Sequence, residues 1–211
     1  SDGKTITVPK GKDGKDGKPI KGPRNIDGQD VFFNYRGVQA KGEFGQDGVY
    51  MPEYYYDKDN GRKVIEAGFV KDNRGLTYYL DEKGEKVLGL HEINGDLYYF
   101  RQGGAYKYTQ LGDMWHDSTN YIGDKIYYFD HEGKAVKNRF YQWGNDWYYF
   151  YADGTAATGE VQINGQKLYF NTSNGRQVKG AFAPDGHYYD ENSGELVTNQ
   201  TRTIKGVTYH F

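Results

Sequence analysis

The chain has 211 residues and a formal net charge of −2 with no long run of like charge, so it lacks the basic surface by which proteins bind nucleic acids. It contains no cysteine, which excludes disulfides and thiolate metal sites, and its apolar runs are too short for membrane insertion. Apolar residues make up 36% of the chain and aromatic residues 17%, led by 22 tyrosines, which indicates a thin core built from rings.

Residues 1–27 are predicted to be a lead-in or linker. Glycine occupies every third position from Gly11 to Gly17, with lysine and aspartate between. Three such triplets are too few for a collagen helix, so a flexible segment is expected. Residues 28–211 are predicted to form one repeat domain.

A short aromatic cluster returns nine times in residues 28–211, at intervals of 19 to 29 residues. Self-similarity at a period near twenty marks a repeat architecture. The longest interval contains an insertion at residues 101–120, which carries Trp115 and His116. The equivalent positions are Phe32, Tyr55, Tyr79, Tyr99, Tyr128, Tyr149, Tyr169, Tyr188 and His210.

Residues 163–182 show the organisation of one repeat. Asn164-Gly165 is a turn dipeptide, and Lys167 to Phe170 is predicted to be a short strand. Residues 171–175 form a second turn, and Arg176 to Lys179 are predicted to return as the partner strand. Because an isolated hairpin is marginally stable in water, the hairpins are expected to stack in series. The predicted fold is all-β, an elongated solenoid of about nine stacked β-hairpins of roughly twenty residues each.

Two return strands carry a glutamine and a lysine on the same face. Alternation places Gln177 and Lys179 together, and it does the same for Gln39 and Lys41. An amide and an ammonium two residues apart suit vicinal hydroxyls of a sugar, for which a tyrosine ring would supply a flat platform. A solvated strand face is the alternative interpretation of the same spacing.

Enzyme chemistry finds little support in the sequence. The five histidines show no metal-ligand spacing, and the carboxylates lie mostly in turns. Residues 57–61 resemble the start of a calcium loop but lack its distal bidentate glutamate. The sequence therefore predicts no catalytic residue, no metal site and no cofactor.

Three segments carry a family resemblance: INGQKLYFNTSNGRQVKG, YIGDKIYYFDHEGKAVKNRF and GNDWYYFYADGTAATGEV. They resemble the cell-wall-binding and choline-binding repeats of Gram-positive secreted proteins, and most of all the glucan-binding domain, domain V, of glucansucrases. The resemblance covers residues 28–211. The aromatic hairpin is shared by the superfamily, whereas the Gln-x-Lys-Gly return strand is more specific for the α-glucan-binding branch.

The resemblance implies a non-catalytic module that binds dextran-like α-glucans or isomaltooligosaccharides through several separate pockets. It also implies a monomeric fragment of a secreted or cell-surface glucansucrase from a Gram-positive bacterium. The repeats at residues 128–137 and 149–158 lack the glutamine, so their pockets are expected to be degenerate. The site residues carried over are Tyr169, Gln177, Lys179 and Tyr188 in one repeat, and Gln39, Lys41 and Tyr55 in the other, where Phe32 replaces the first tyrosine.

Three other functions stay open at this point. Choline-binding repeats use a Gly-Trp step and tryptophan-rich cages, but the step here is Gly68-Phe69 and the chain has only 3 tryptophans. Clostridial toxin repeats have a sequence motif similar to Ile163 to Thr172 and also bind glycans. A structural spacer without a ligand is the third alternative. Binding to dextran, choline resin and a host-glycan array would separate these classes.

Overall fold

The computed structural model describes residues 20–45, 53–103 and 111–211, and these ranges contain strands and turns but no helix. Accordingly, no membrane-spanning helix is found in the described part of the chain. The strands are β1 (Gly22–Ile26), β2 (Gln29–Phe33), β3 (Glu43–Gly45), β4 (Tyr54–Tyr56), β5 (Gly68–Lys71), β6 (Thr77–Leu80), β7 (Gly89–Ile93), β8 (Asp96–Phe100), β9 (Ser118–Ile122), β10 (Lys125–Phe129), β11 (Arg139–Trp143), β12 (Asp146–Phe150), β13 (Gly159–Ile163), β14 (Gln166–Phe170), β15 (Ala181–Phe182), β16 (Tyr188–Tyr189), β17 (Thr201–Ile204) and β18 (Val207–His210).

Consecutive strands pair into two-stranded antiparallel sheets, nine of them within the described ranges. Each second strand holds one of the nine equivalent aromatic-cluster positions predicted from the sequence. The all-β hairpin repeat is therefore confirmed. The hairpins from β1 to β8 belong to one unit of the chain and those from β9 to β18 to another, with the boundary between Trp115 and His116.

The hairpin turns lie before the aromatic strand, not after it. β13 and β14 pair across Asn164-Gly165, whose φ angles of 51° and 85° are those of the two-residue turn that matches strand twist. The predicted pairing of residues 167–170 with residues 176–179 is wrong as a strand ladder. Residues 176–179 add a single bridge, between Phe170 and Gln177.

These return segments bind the aromatic strand at one main-chain position that is equivalent from repeat to repeat. In eight repeats the N–H of a return residue donates to the carbonyl of the equivalent aromatic residue, as Val178 does to Tyr169 at 2.8 Å. The next hydrogen bonds lead to the preceding hairpin. They run from Lys63 to Asp30, Met114 to Thr77, Ala156 to Ile126, Gln177 to Trp147 and Leu196 to Lys167. Main-chain bonds therefore join neighbouring repeats within each unit.

The core is built from the ends of the aromatic strands, where consecutive residues are buried, as Tyr98, Tyr99 and Phe100 are in β8. Phe100, Phe129, Phe150 and Phe170 close their strands and are at most 1% exposed. Each packs with apolar residues of its own or an adjacent hairpin, as Phe170 does with Ile163. The thin ring-built core expected from composition is what forms.

The first hairpin begins upstream of residue 28, where the repeat domain was predicted to start. β1 spans Gly22–Ile26 and turns at Asp27-Gly28, with φ angles of 50° and 78°. Its sequence, Gly-Pro-Arg-Asn-Ile, has one strong β-former, so pairing with the apolar strand β2 is what makes it a strand. Residues 1–19 of the predicted lead-in lie outside the described residues.

Candidate functional site

Both Gln-x-Lys segments occupy the same place in the repeat. Gln177 bridges Phe170, the last residue of β14, and Gln39 bridges Phe33, the last residue of β2. The same bridge position is held by Lys63, Lys86, Met114, Ala135, Ala156 and Leu196 in other repeats. Gln177 and Gln39 therefore occupy equivalent positions of two repeats.

Each lysine of the pair reaches the turn of the next repeat. Lys179 donates from Nζ to the carbonyl of Asn192 at 2.9 Å, and Lys41 donates to the carbonyl of Asp59 at 2.9 Å. Asn192 and Asp59 occupy the same position in their turns, two residues after an aspartate. The two pairs, far apart in sequence, therefore fold to one arrangement.

The glutamine amides lie against the glycine that ends the same turn. A Cβ on Gly61 would approach Nε2 of Gln39 to 2.5 Å, and a Cβ on Gly194 would collide with Nε2 of Gln177. Both glycines have positive φ, 70° and 72°. Only glycine therefore allows the turn and the amide to sit together.

Gln39 carries an unpaired donor. Its Nε2 is buried and makes no hydrogen bond. A buried donor without a partner is costly, about 1–3 kcal/mol, and such groups call for an explanation. A water or a sugar hydroxyl that reached this amide would remove the cost.

Aspartates hold the two turns in place. Oδ1 of Asp190 accepts from the N–H groups of Asn192 and Ser193, and Oδ1 of Asp57 accepts from two equivalent N–H groups of its turn. The backbone N–H of Ser193, followed by the guanidinium of Arg202, lowers the pKa of the Asp190 carboxyl below its usual range. Arg202 lies 2.6 Å from the other carboxylate oxygen. The Asn192 carbonyl therefore belongs to a turn that is hydrogen-bonded to an ionised aspartate.

The predicted platform tyrosines lie in the core. Tyr169 is 6% exposed and packs with Ala183 and Tyr189, in a cluster that Val178 joins from the return segment. Because Val178 alternates with Gln177 and Lys179, this cluster lies on the other side of the segment. Tyr188 and Tyr55 are 6% and 5% exposed. Tyr188 packs on Phe182 and Phe211, and Tyr55 packs on Phe44 and donates its hydroxyl to the Lys71 carbonyl at 2.8 Å.

The ring that the structure brings to Gln177 and Lys179 belongs to Trp147. Nζ of Lys179 lies 5.7 Å from the Trp147 ring centroid, and the Gln177 N–H donates to the Trp147 carbonyl at 2.8 Å. The sequence predicted the ring on the same hairpin, at Tyr169, or on the following one, at Tyr188, whereas Trp147 belongs to the preceding hairpin. The signal was present, because Trp147 precedes the equivalent aromatic residue of its repeat by two positions.

Repeats with other residues at the bridge position lack this arrangement. Ala135 and Ala156 have no amide there. Nζ of Lys86 instead lies 3.7 Å from the Phe44 ring centroid and 2.8 Å from a carboxylate oxygen of Glu53. Nζ of Lys63 lies 3.2 Å from the centroid of the Tyr54 ring. At these two places the chain's own ammonium groups cover the ring faces.

A cavity of about 460 Å³ lies beside the first return segment, in the first unit. Its walls include the rings of Phe32 and Phe44 and the charged groups of Glu43, Asp72 and Arg74. Burial raises the pKa of Glu43. Burial also acts to raise the pKa of Asp72, but hydrogen bonds from Arg74 and from backbone N–H groups outweigh it and lower that pKa. The cavity combines ring faces with hydrogen-bonding charges, as ligand pockets commonly do.

The comparisons with known proteins agree with this repeat. The model of the choline-binding repeat matches residues 20–67 and 157–200, which contain both Gln-x-Lys segments, and that of the cell wall binding repeat matches residues 67–86 and 138–156. Together they match more than half of the chain. Both describe binding repeats, which confirms the prediction that the chain is not an enzyme.

Curated relatives and a solved structure are also similar to this chain. The chain is 36% identical to Glucosyltransferase-S of Streptococcus mutans over 90% of its length, and 34% identical to Glucosyltransferase-I of Streptococcus downei over 93%. It spans only 13% and 12% of those two proteins. Choline binding protein F from Streptococcus pneumoniae is similar in structure, with a TM-score of 0.60 and 29% identity over 85% of this chain and 58% of that one. The chain belongs to the family of choline-binding and cell wall binding repeats, as a carbohydrate-binding repeat module of the kind found in streptococcal glucosyltransferases.

Proposed function

We propose that the chain binds dextran-like α-glucans through two pockets, one at Gln177 and Lys179 and one at Gln39 and Lys41. The observation that carries the proposal is that two segments far apart in sequence build one arrangement. In both, a lysine donates to a turn carbonyl at 2.9 Å and a glutamine amide lies on the turn glycine. An amide, an ammonium and a fixed carbonyl together offer the donors and acceptors that adjacent sugar hydroxyls require.

The ring beside the first pocket completes the chemistry. The Trp147 ring lies next to Lys179, with Nζ 5.7 Å from the ring centroid, and aromatic rings are the surfaces on which sugars stack. Tyr169, Tyr188 and Tyr55 stay predicted contact residues, which a small change of the core would have to expose. The second pocket has no corresponding ring among the described residues, so we expect it to bind more weakly.

The relatives support a proposal for the protein to which these pockets belong. The streptococcal matches are glucosyltransferases of which the chain covers about an eighth, so we propose that it is part of a secreted or surface-attached glucansucrase. Its role there is to hold the glucan near the rest of the protein. Shallow pockets bind weakly one at a time, and several acting together retain a polymer.

Choline binding is the second candidate, favoured by the family model and by the similarity to choline binding protein F. A choline cage needs ring faces open to a quaternary ammonium. Lys86 and Lys63 already occupy two ring faces with ammonium groups. We therefore expect the chain to be retained on immobilised dextran and not on choline resin.

The test removes both pairs at once. A chain with Gln177, Lys179, Gln39 and Lys41 all changed to alanine should lose retention on dextran, and either double variant should lose part of it. Lys137→Ala is the matched control, because Lys137 stands at the equivalent lysine position of a repeat that has Ala135 in place of glutamine. Full retention of the quadruple variant, with an intact melting transition, would place the glucan site elsewhere.

A further inference from the structure

Three metal-ligand side chains meet outside the proposed pockets, at the start of the second unit. Oδ2 of Asp117 lies 3.0 Å from Nδ1 of His116 and 2.8 Å from Nδ1 of His131. One ligand atom from each of the three residues lies within 4.8 Å of the other two. No role in sugar binding is assigned to them.

The hairpin explains why residues fourteen positions apart come together. β9 and β10 are antiparallel with Ser118 opposite Phe129, so residues 116–117 enter and residue 131 leaves at the same end. The N–H of Asp117 donates to the Asp130 carbonyl at 3.1 Å. Linear spacing could not show this cluster, because the strands that bring it together lie between the histidines.

The local backbone fixes both sides of the cluster. Asp117 has a φ of 49°, in the left-handed region. On the other side, Oδ1 of Asp130 accepts from the N–H groups of Glu132 and Lys134, which holds the turn that carries His131. Two backbone positions therefore hold the carboxylate and the second imidazole close to each other.

We propose that His116, Asp117 and His131 bind a divalent transition-metal ion of the Zn²⁺ class. Zinc binds imidazole nitrogen at about 2.0–2.1 Å and carboxylate oxygen at about 2.0–2.2 Å, which puts neighbouring ligands of a tetrahedral site roughly 3.4 Å apart. The two nitrogen–oxygen distances of 3.0 and 2.8 Å need to open by about half an ångström. Imidazole with carboxylate suits Zn²⁺, Ni²⁺ and Cu²⁺ and does not suit Ca²⁺ or Mg²⁺.

The exposure of the three side chains sets the kind of site. They are 53%, 49% and 91% exposed, so solvent completes the coordination and the ion exchanges freely. Bound metal would tie the residue before β9 to the turn after β10 and close the first hairpin of this unit. An ion that binds the folded chain stabilises it by mass action.

A second cluster provides an internal comparison. Glu160, Asp185 and His187 also offer three ligand atoms within 4.8 Å, but with one imidazole. Nδ1 of His187 lies 3.5 Å from its aspartate. The second imidazole singles out the His116 cluster, because imidazole is the ligand that favours Zn²⁺ over Ca²⁺ and Mg²⁺.

The test is a titration of the full 211-residue chain, without a histidine tag and freed of metal by a chelator, with Zn²⁺ in a calorimeter. We expect one Zn²⁺ per chain and a higher melting temperature with metal. Changes to groups that merely orient a ligand weaken metal binding roughly 10–100-fold, and loss of a ligand should cost at least as much. His131→Ala and Asp117→Asn should therefore each weaken binding by about tenfold or more.

Two histidines that lie outside the cluster serve as controls. His210→Ala removes an exposed imidazole that bonds Thr201, and His187→Ala removes the imidazole of the second cluster. Both variants should leave Zn²⁺ binding unchanged. In the presence of chelator, His131→Ala should have the same melting temperature as the unchanged chain, because the His131 ring is almost fully exposed. The proposal would be overturned if the chain did not bind Zn²⁺, or if His131→Ala and Asp117→Asn bound it as tightly as the unchanged chain. It would also be overturned if His187→Ala were the one variant to lose Zn²⁺ binding.

Discussion

Replacing Gly194 by alanine should separate the binding role of its turn from its structural role. Gly194 has a φ of 72°, where the Cβ of an L-residue costs about 1–2 kcal/mol. The added Cβ would collide with the Gln177 amide and lie 3.1 Å from Cγ of Lys179. The amide is the free end of a flexible side chain, so it can move at little cost to folding. Once moved, it no longer lies where the proposed pocket needs it.

Gly186→Ala is the matched control. Gly186 has a φ of 85° in a neighbouring turn, and a Cβ built there meets no heavy atom within 4 Å. Both variants should carry the same backbone strain. At about 2–4 °C per kcal/mol for a chain of this size, each should lower the melting temperature by roughly 2–8 °C.

Glucan binding should distinguish the two variants. In a background with Gln39→Ala and Lys41→Ala, one proposed pocket remains, and calorimetry with an isomaltooligosaccharide reports on it alone. Losing the amide contact costs about 0.5–1.5 kcal/mol, which corresponds to roughly two- to tenfold weaker binding. Gly194→Ala should show this loss and Gly186→Ala should not.

Two results would refute the reasoning. Unchanged binding by a folded Gly194→Ala chain would mean that the Gln177 amide does not contact the sugar. An equal loss in Gly186→Ala would mean that general loosening of the repeat, and not displacement of the amide, weakens binding. A further check is the Gln177→Ala background, where Gly194→Ala should add no further loss, because the group it displaces is already gone.

Three other changes test the surrounding network. Hydrogen bonds from Ser193 and then Arg202 lower the pKa of the Asp190 carboxyl. The stabilisation that this carboxylate provides is therefore present above the ordinary aspartate pKa of about 4 and is lost as the pH falls below that value. Asp190→Asn should reduce the fall in melting temperature on acidification. Burial raises the pKa of Tyr78 to about 12, so the ultraviolet titration difference between the chain and Tyr78→Phe should have its midpoint near there and not near 10. Lys86→Met removes an ammonium that lies 3.7 Å from the Phe44 ring centroid and 2.8 Å from a Glu53 carboxylate oxygen. It should lower the free energy of unfolding, measured by denaturant titration, by about 1–3 kcal/mol. An unchanged free energy would show that both contacts contribute nothing.

The number of hairpins and their aromatic strands could be predicted from the sequence because both depend on local chemistry. Asn164-Gly165 supplies two positive φ angles, and the run of β-forming apolar residues from Leu168 to Phe170 marks the strand, in which all three are buried. The equivalence of Gln177 with Gln39 followed from the same period. These features need no knowledge of which segment packs on which.

The pairing of segments and the make-up of the sites were decided by tertiary structure. Residues 176–179 look like a partner strand, yet β14 pairs with β13. After one bridge to Phe170 the return segment turns to the preceding hairpin, where the Gln177 N–H donates to the Trp147 carbonyl. Alternation alone did not reveal that Tyr169 faces Val178 in the core while the ring of Trp147 lies beside Lys179.

The same limit applies to the histidines. His116 and His131 show no ligand spacing along the chain, and the antiparallel pairing of β9 with β10 brings both to one carboxylate. A sequence of this kind determines the repeat and its turns, because those are properties of a few adjacent residues. Which side chains of different repeats meet depends on how one hairpin joins the next, and only the folded chain decides that.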